Sequence, residues 1–267
     1  MNLLDNKAIQ ISIKNLKDKI RHWQYVFFSL LLPIMFTVMF YFMFGSEKDP
    51  VTGLSDFDYG FPGMIIYAIG MGTMNAAIMF AQDKGSGMLE RLDTMPTGRK
   101  NMFLGALISE SLFLMLQIVV MFFIGYVILG LHIEGPLELF LGFIIAVVFG
   151  ISAVGLGIII ASSSKNVEIA NAASLLVFMI LIFLSGSMIP FESPIVFFTP
   201  PFWAKQLYLQ LTVLGNGFGD PLYSGSLIGV TSETIPISLF GGLIIVFVYT
   251  IIFIILGIIV FQMKTKF

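Results

Sequence analysis

Long apolar runs alternate with short polar connections along almost the whole chain, at 25–44, 61–81, 102–131, 137–161, 172–189 and 237–261. Each run has the roughly 17–25 residues that a helix needs to cross a hydrocarbon core. The pattern therefore predicts an all-α membrane protein in which one transmembrane domain, 1–267, carries six transmembrane helices. Ahead of the first run, Ile9, Ile13, Leu16, Ile20 and Trp23 recur at alternating steps of four and three. Lys7, Lys14, Lys17, Lys19 and Arg21 lie mostly off that stripe. This predicts an amphipathic helix over 1–24 lying at the membrane surface, with Trp23 as an interfacial anchor. A soluble helix packed on a partner would show the same stripe. Acids and lysines run through the first 22 residues, so the segment does not read as a cleavable signal sequence.

Two further patterns refine the picture. Small residues recur four apart, as Ala68, Gly72 and Ala76, as Gly142, Ala146 and Gly150, and as Ala153, Gly157 and Ala161. Such seams let helix backbones approach closely, within the chain or between protomers. The stretch 187–236 combines Pro190, Pro194, Pro200, Pro201 and Pro221 with Phe197, Phe198, Phe202, Trp203 and Tyr208. Aromatics at that density predict broken, re-entrant helices between the fifth and sixth spans. An aromatic belt resting at the interface is the alternative.

Composition agrees with the membrane reading: 57% of residues are hydrophobic and 11% charged. Soluble domains have about 25% charged residues. A net charge of −2 offers nothing to a nucleic acid. With the N-terminus inside, twelve of the 14 basic residues fall on the inner side, leaving Lys48 and Lys205 outside. The bias predicts a multi-pass plasma-membrane protein with both termini cytoplasmic. There is no cysteine, and His22 and His132 fall near opposite faces, so no metal site is expected. No phosphate-binding Gly-x-x-x-x-Gly-Lys-Ser/Thr loop occurs. If ATP drives this protein, another chain binds it.

The longest polar interruption between two spans is 83–100, DKGSGMLERLDTMPTGRK. Ser86 can cap a short helix beginning at Gly87, in which Met88, Leu89 and Leu92 are apolar, Glu90, Arg91 and Asp93 charged, and Pro96 blocks continuation. A helix of that kind serves most economically as a plug for a groove on another protein. Gly87, Leu89, Glu90, Arg91, Leu92, Pro96 and Arg99 fit a G-x-L-[DE]-R-L-x-x-x-P-x-x-R pattern. It resembles the coupling-helix region of the ABC-2 export permeases, above all the daunorubicin-type drug-resistance branch. A weaker likeness runs from Ser185 and Gly186 to Pro190 and Glu192.

The resemblance implies an export permease without a nucleotide site of its own, not an enzyme and binding no cofactor. Two permease protomers, identical or related, would pair with two copies of a cytoplasmic ATP-binding subunit that holds ATP and Mg. Gly87, Met88, Leu89, Glu90, Arg91, Leu92, Pro96 and Arg99 would couple the two, and 187–236 would cap the exit. Apolar, Met-rich and Phe-rich walls suit a drug or a lipid as cargo. The related polysaccharide exporters share the layout and are the nearest rival.

Glu110 is the ionisable residue well inside a span. It reads either as an intramembrane proton carrier, which would make the chain an ion-coupled secondary transporter, or as an acid near the inner headgroups paired with a Lys or Arg. Thr73, Asn75, Asn171 and Ser174 could line a pathway, or could bond neighbouring helices. A membrane anchor that only docks an ATPase is a third class.

Overall fold

The structure, a computed structural model, describes residues 7–21, 23–45, 48–50, 52–87, 99–188, 194–222 and 237–264. Its helices are α1 (Lys7–Arg21), α2 (Trp23–Phe44), α3 (Asp56–Gly85), α4 (Arg99–Phe122), α5 (Pro136–Ser163), α6 (Val167–Leu184), α7 (Pro200–Tyr208) and α8 (Leu239–Lys264). α4 runs on into a π-helical stretch, Phe123–Ile128, and α7 into another, Leu209–Val213. Among the described residues six helices are long and apolar enough to cross a membrane: α2, α3, α4 with its π extension, α5, α6 and α8. Among the described residues there are isolated bridges but no sheet.

α3 and α5 form the centre, packed on each other, with α2, α4 and α6 against α3 and with α8 and α4 against α5. The most apolar stretch of α3 is 72% buried, whereas that of α2 is 11% buried. α2 and α8 therefore keep most of their surface on the outside of the bundle. The small-residue seams serve contacts inside the chain: a Cβ on Gly157 would collide with the Thr73 carbonyl, and one on Gly72 or Gly150 with Leu114.

Several bounds differ from those read off hydropathy, each for a local reason. α6 begins at Val167, not 172, because Asn166 Oδ1 accepts the Ile169 N–H at 2.8 Å and holds a polar first turn in the helix. It ends at Leu184, not 189, with Gly186 in the left-handed region at φ 62°. α3 begins at Asp56 through a capping box, in which Ser55 Oγ accepts the Asp58 N–H and Asp58 Oδ2 accepts the Ser55 N–H. Asp58 Oδ1 also accepts the His132 N–H at 2.8 Å, which ties the α4–α5 connection to the head of α3. Inside α2, Pro33 has no N–H for the Ser29 carbonyl. Gln117 of α4 supplies the missing donor, Nε2 to Ser29 O at 3.3 Å.

α1 shows two distinct faces. Ala8, Ser12, Asn15 and Lys19 are buried. α1 packs chiefly on α4, where Gly105 permits the approach: a Cβ there would lie 2.9 Å from the Ala8 carbonyl. The stripe of Ile13 and Ile20, continued by Trp23 at the start of α2, stays exposed, with Ile20 at 70%. The bundle thus leaves the apolar stripe uncovered and meets α1 through a small, polar seam.

α7 is the opposite. Pro200, Pro201, Phe202, Trp203, Ala204, Leu207 and Tyr208 are all buried. The helix packs on α8, α5 and α3 without being one of the six spans. Its aromatics are core residues, while Phe198 just before it is exposed.

Candidate functional site

The last turn of α3 is where the chain leaves the bundle toward 88–98. Ser86 N donates to Gln82 O at 2.9 Å and Ser86 Oγ to Asp83 O at 3.0 Å, while Gly87 turns left-handed at φ 69°. Ser86 therefore closes α3; no helix opens at Gly87, because its φ lies outside the helical region. The polar stretch 83–100 is divided accordingly, with 83–85 in α3 and Arg99 and Lys100 in α4. Met88, Leu89, Glu90, Arg91, Leu92 and Pro96 lie outside the described residues.

One set of contacts holds that last turn, and an ion pair lies near it. On one side Lys84 Nζ donates to Ser164 O at 2.9 Å and Ser162 O at 3.3 Å. These carbonyls belong to the C-terminal end of α5, so the ammonium also meets the negative end of a helix dipole. On the other side Lys19 of α1 and Glu110 of α4 form an ion pair, Nζ to Oε2 at 2.5 Å, with side chains 1% and 6% exposed. The Lys19 ammonium stands 4.4 Å from the centre of the Phe113 ring. Burial pulls the Lys19 pKa below its ordinary value; the Glu110 carboxylate, and more weakly Asp83 at the end of α3, push back. α1, α3 and α4 thus bring charges together at the base of the 88–98 segment, and α5 holds α3 from behind.

The other residues singled out from the sequence do not converge. Thr73 is buried and faces a cavity, Asn75 is half-buried, and Asn171 is exposed on α6. Ser174 Oγ donates to Asn171 O within its own helix. Lys84 and Lys205 carry contacts that sequence reasoning did not assign. Lys205 Nζ donates to Gly186 O at 2.6 Å, just past the end of α6. Burial pulls its pKa down to about 8. For Lys19 a signal did exist: Ala8, Ser12, Asn15 and Lys19 follow the same alternation of fours and threes as the apolar stripe.

The family model described as ABC-2 type transporter matches residues 8–208, from α1 to the end of α7. No curated protein matches the chain.

Proposed function

The chain belongs to the ABC-2 type transporter family, and from that premise we propose that it is the permease of an ATP-driven exporter for a drug or lipid, of the daunorubicin-resistance type. The family makes it a membrane-spanning permease component of an ABC transporter, and its six spans make it a multi-pass membrane protein. ABC-2 permeases generally work with a cytoplasmic ATP-binding subunit and dimerise.

In the proposed reading both termini face the cytoplasm, and 88–98, with Gly87 and Arg99 at its flanks, docks in a groove of the ATP-binding subunit. Two such subunits supply ATP and Mg. Their closure moves the docked segment, and two protomers rock between states of different access. The observation that carries this reading is the mounting of α3. A push on 88–98 is delivered to a turn held by α5 through Lys84 and flanked by the Lys19–Glu110 pair. It therefore moves a packed unit rather than a loose loop.

The test uses the permease co-expressed with its ATPase and reconstituted in vesicles. Leu89→Asp or Leu92→Asp should abolish co-purification of the ATPase, since an unpaired charge in a docking groove costs at least about 3 kcal/mol. Glu90→Ala or Arg91→Ala should keep the ATPase bound yet uncouple hydrolysis from cargo movement. A bound ATPase and normal transport in both Asp variants would remove the docking role. ATP-driven movement of a polysaccharide, with none of drug or lipid, would replace the cargo.

A further inference from the structure

We propose that the last turn of α1 binds the headgroup phosphate of an anionic phospholipid through Lys17 and Arg21, while Ile20 and Trp23 meet the acyl chains below it. The order of residues around α1 sets this up. Successive positions of an α-helix are about 100° apart. Going round from the exposed Ile13 and Ile20, the next charged positions are therefore Lys17 and Arg21, then Lys14 and Asp18, and beyond them the seam buried against α4. Lys17 and Arg21 are four residues apart, which puts their Cβ atoms about 6 Å from each other, close enough for one phosphate to meet both side chains. They border the apolar stripe directly.

Charge and depth narrow the occupant. Lys14 is answered by Asp18, Nζ to Oδ2 at 3.7 Å, and Lys19 by Glu110. Lys17 and Arg21 are exposed, and among the described residues they have no ion pair. Two positive charges are thus left over beside the stripe. Their depth follows from the chain: the apolar window of α2 begins at Val26, so Arg21 is at most about 18 Å of extended chain from hydrocarbon. The Lys19–Glu110 pair fastens the same turn to α4, which keeps it at that boundary. Trp23 and Phe27, both exposed with ring centres 6.4 Å apart, carry the stripe on into the span. Cations flanking an apolar face reach phosphates while the face itself contacts acyl chains. A phospholipid supplies both halves, an anion for charge-assisted hydrogen bonds and hydrocarbon for the stripe. A headgroup without its own cation complements the two side chains better than a zwitterion.

Neither ATPase nor cargo enters the test, so it succeeds or fails apart from the export reading. The chain has two tryptophans, Trp23 exposed and Trp203 buried. Bromine on an acyl chain quenches a tryptophan that touches it, and the quenching that Trp23→Phe removes belongs to Trp23. The full-length protein is reconstituted in phosphatidylcholine vesicles that carry either brominated phosphatidylglycerol or brominated phosphatidylcholine. Quenching of Trp23 should report a preference of about fivefold or more for phosphatidylglycerol, as a cation near a membrane surface provides. The double variant Lys17→Gln/Arg21→Gln, altered only at exposed positions, should bring the two headgroups within about twofold. Lys165→Gln, which removes an exposed lysine at the same end of the bundle but off α1, should leave the preference in place. Equal quenching by the two lipids in wild-type protein overturns the proposal. So does a preference that survives the double variant, or one lost in Lys165→Gln, because it then belongs to the field of the whole end. A Trp23 that neither lipid quenches also overturns it and assigns the stripe to a protein contact.

Discussion

Lys19 is buried and Lys205 half-buried, one at each end of the bundle, and they meet different partners. Lys19 comes from α1 and finds a carboxylate on α4, so the charge is neutralised and two helices are cross-linked. Lys205 comes from the buried α7 and finds a backbone carbonyl beyond α6. A carbonyl dipole satisfies a donor without cancelling a charge. The lesson is that a cation drawn into the bundle can close a structure or leave a field unbalanced, depending on whether its partner carries charge. Among the described residues Lys19 is of the first kind and Lys205 of the second.

The largest effect should come from removing one half of the Lys19–Glu110 pair. Glu110→Leu leaves an uncompensated buried ammonium and should lower stability by about 3–5 kcal/mol. The double variant Lys19→Met/Glu110→Leu should recover most of that loss in denaturant unfolding in micelles. If the double variant is as unstable as the single one, the pair contributes through packing, not charge. Glu110→Gln is also decisive for mechanism: proton-driven transport that depends on this carboxyl would put a secondary transporter ahead of an ATP-driven one.

Lys205 should respond more gently and in a pH-dependent way. Lys205→Met strands one carbonyl, a cost of about 1–3 kcal/mol, and leaves no carboxylate behind among the described residues. The ordinary value of 10.5 falls to about 8 in the folded protein. Between those values the unfolded chain holds more protons on this side chain than the folded one, so wild-type stability should rise as pH goes from 8 to 10.5. Below 8 this group contributes no slope. Unfolding midpoints across that range should show the rise in wild type and lose it in Lys205→Met; a rise that persists assigns it elsewhere.

The smallest effect calibrates the other two, because it concerns a neutral donor on a carbonyl. Gln117→Leu removes the amide that serves the Ser29 carbonyl beside Pro33, and should cost about 1 kcal/mol. Adding Pro33→Ala restores a backbone N–H and should return the loss. If the second substitution restores nothing, the 3.3 Å contact is not a working hydrogen bond.

The six spans are legible in the sequence because hydrocarbon imposes a length and a composition on any helix that crosses it. The ends are less so: hydropathy misses the capped polar turn at Val167 and the charged turn at Asp83 and Lys84, both helical. The apolar stripe on α1 is legible, and its residues Ile13 and Ile20 are exposed. The second seam has the same spacing, but Ser12, Asn15 and Lys19 have the composition of a solvated face, so spacing alone does not tell that they become internal through α4. Glu110 stands out by being charged in a span, yet its partner is 91 residues away and no local pattern points there. Burial of Trp203 and Tyr208 is foreshadowed by aromatic density, whereas the contact of Lys205 with Gly186 depends on how α7 folds back on α6. The docking segment itself, 88–98, lies outside the described residues and is argued from its sequence.

α3 is also a ruler. Asp58 at its head and Asp83 in its last turn are 25 residues apart, about 38 Å along the axis. A bilayer with its headgroup layers is about 40–45 Å thick. The hydrocarbon core inside it is about 30 Å, so sliding this helix along the membrane normal by more than about 4 Å in either direction would draw a carboxylate into hydrocarbon. A piston stroke of one helical turn, about 5.4 Å, is therefore opposed, and larger movements of the bundle must be a tilt or a rotation.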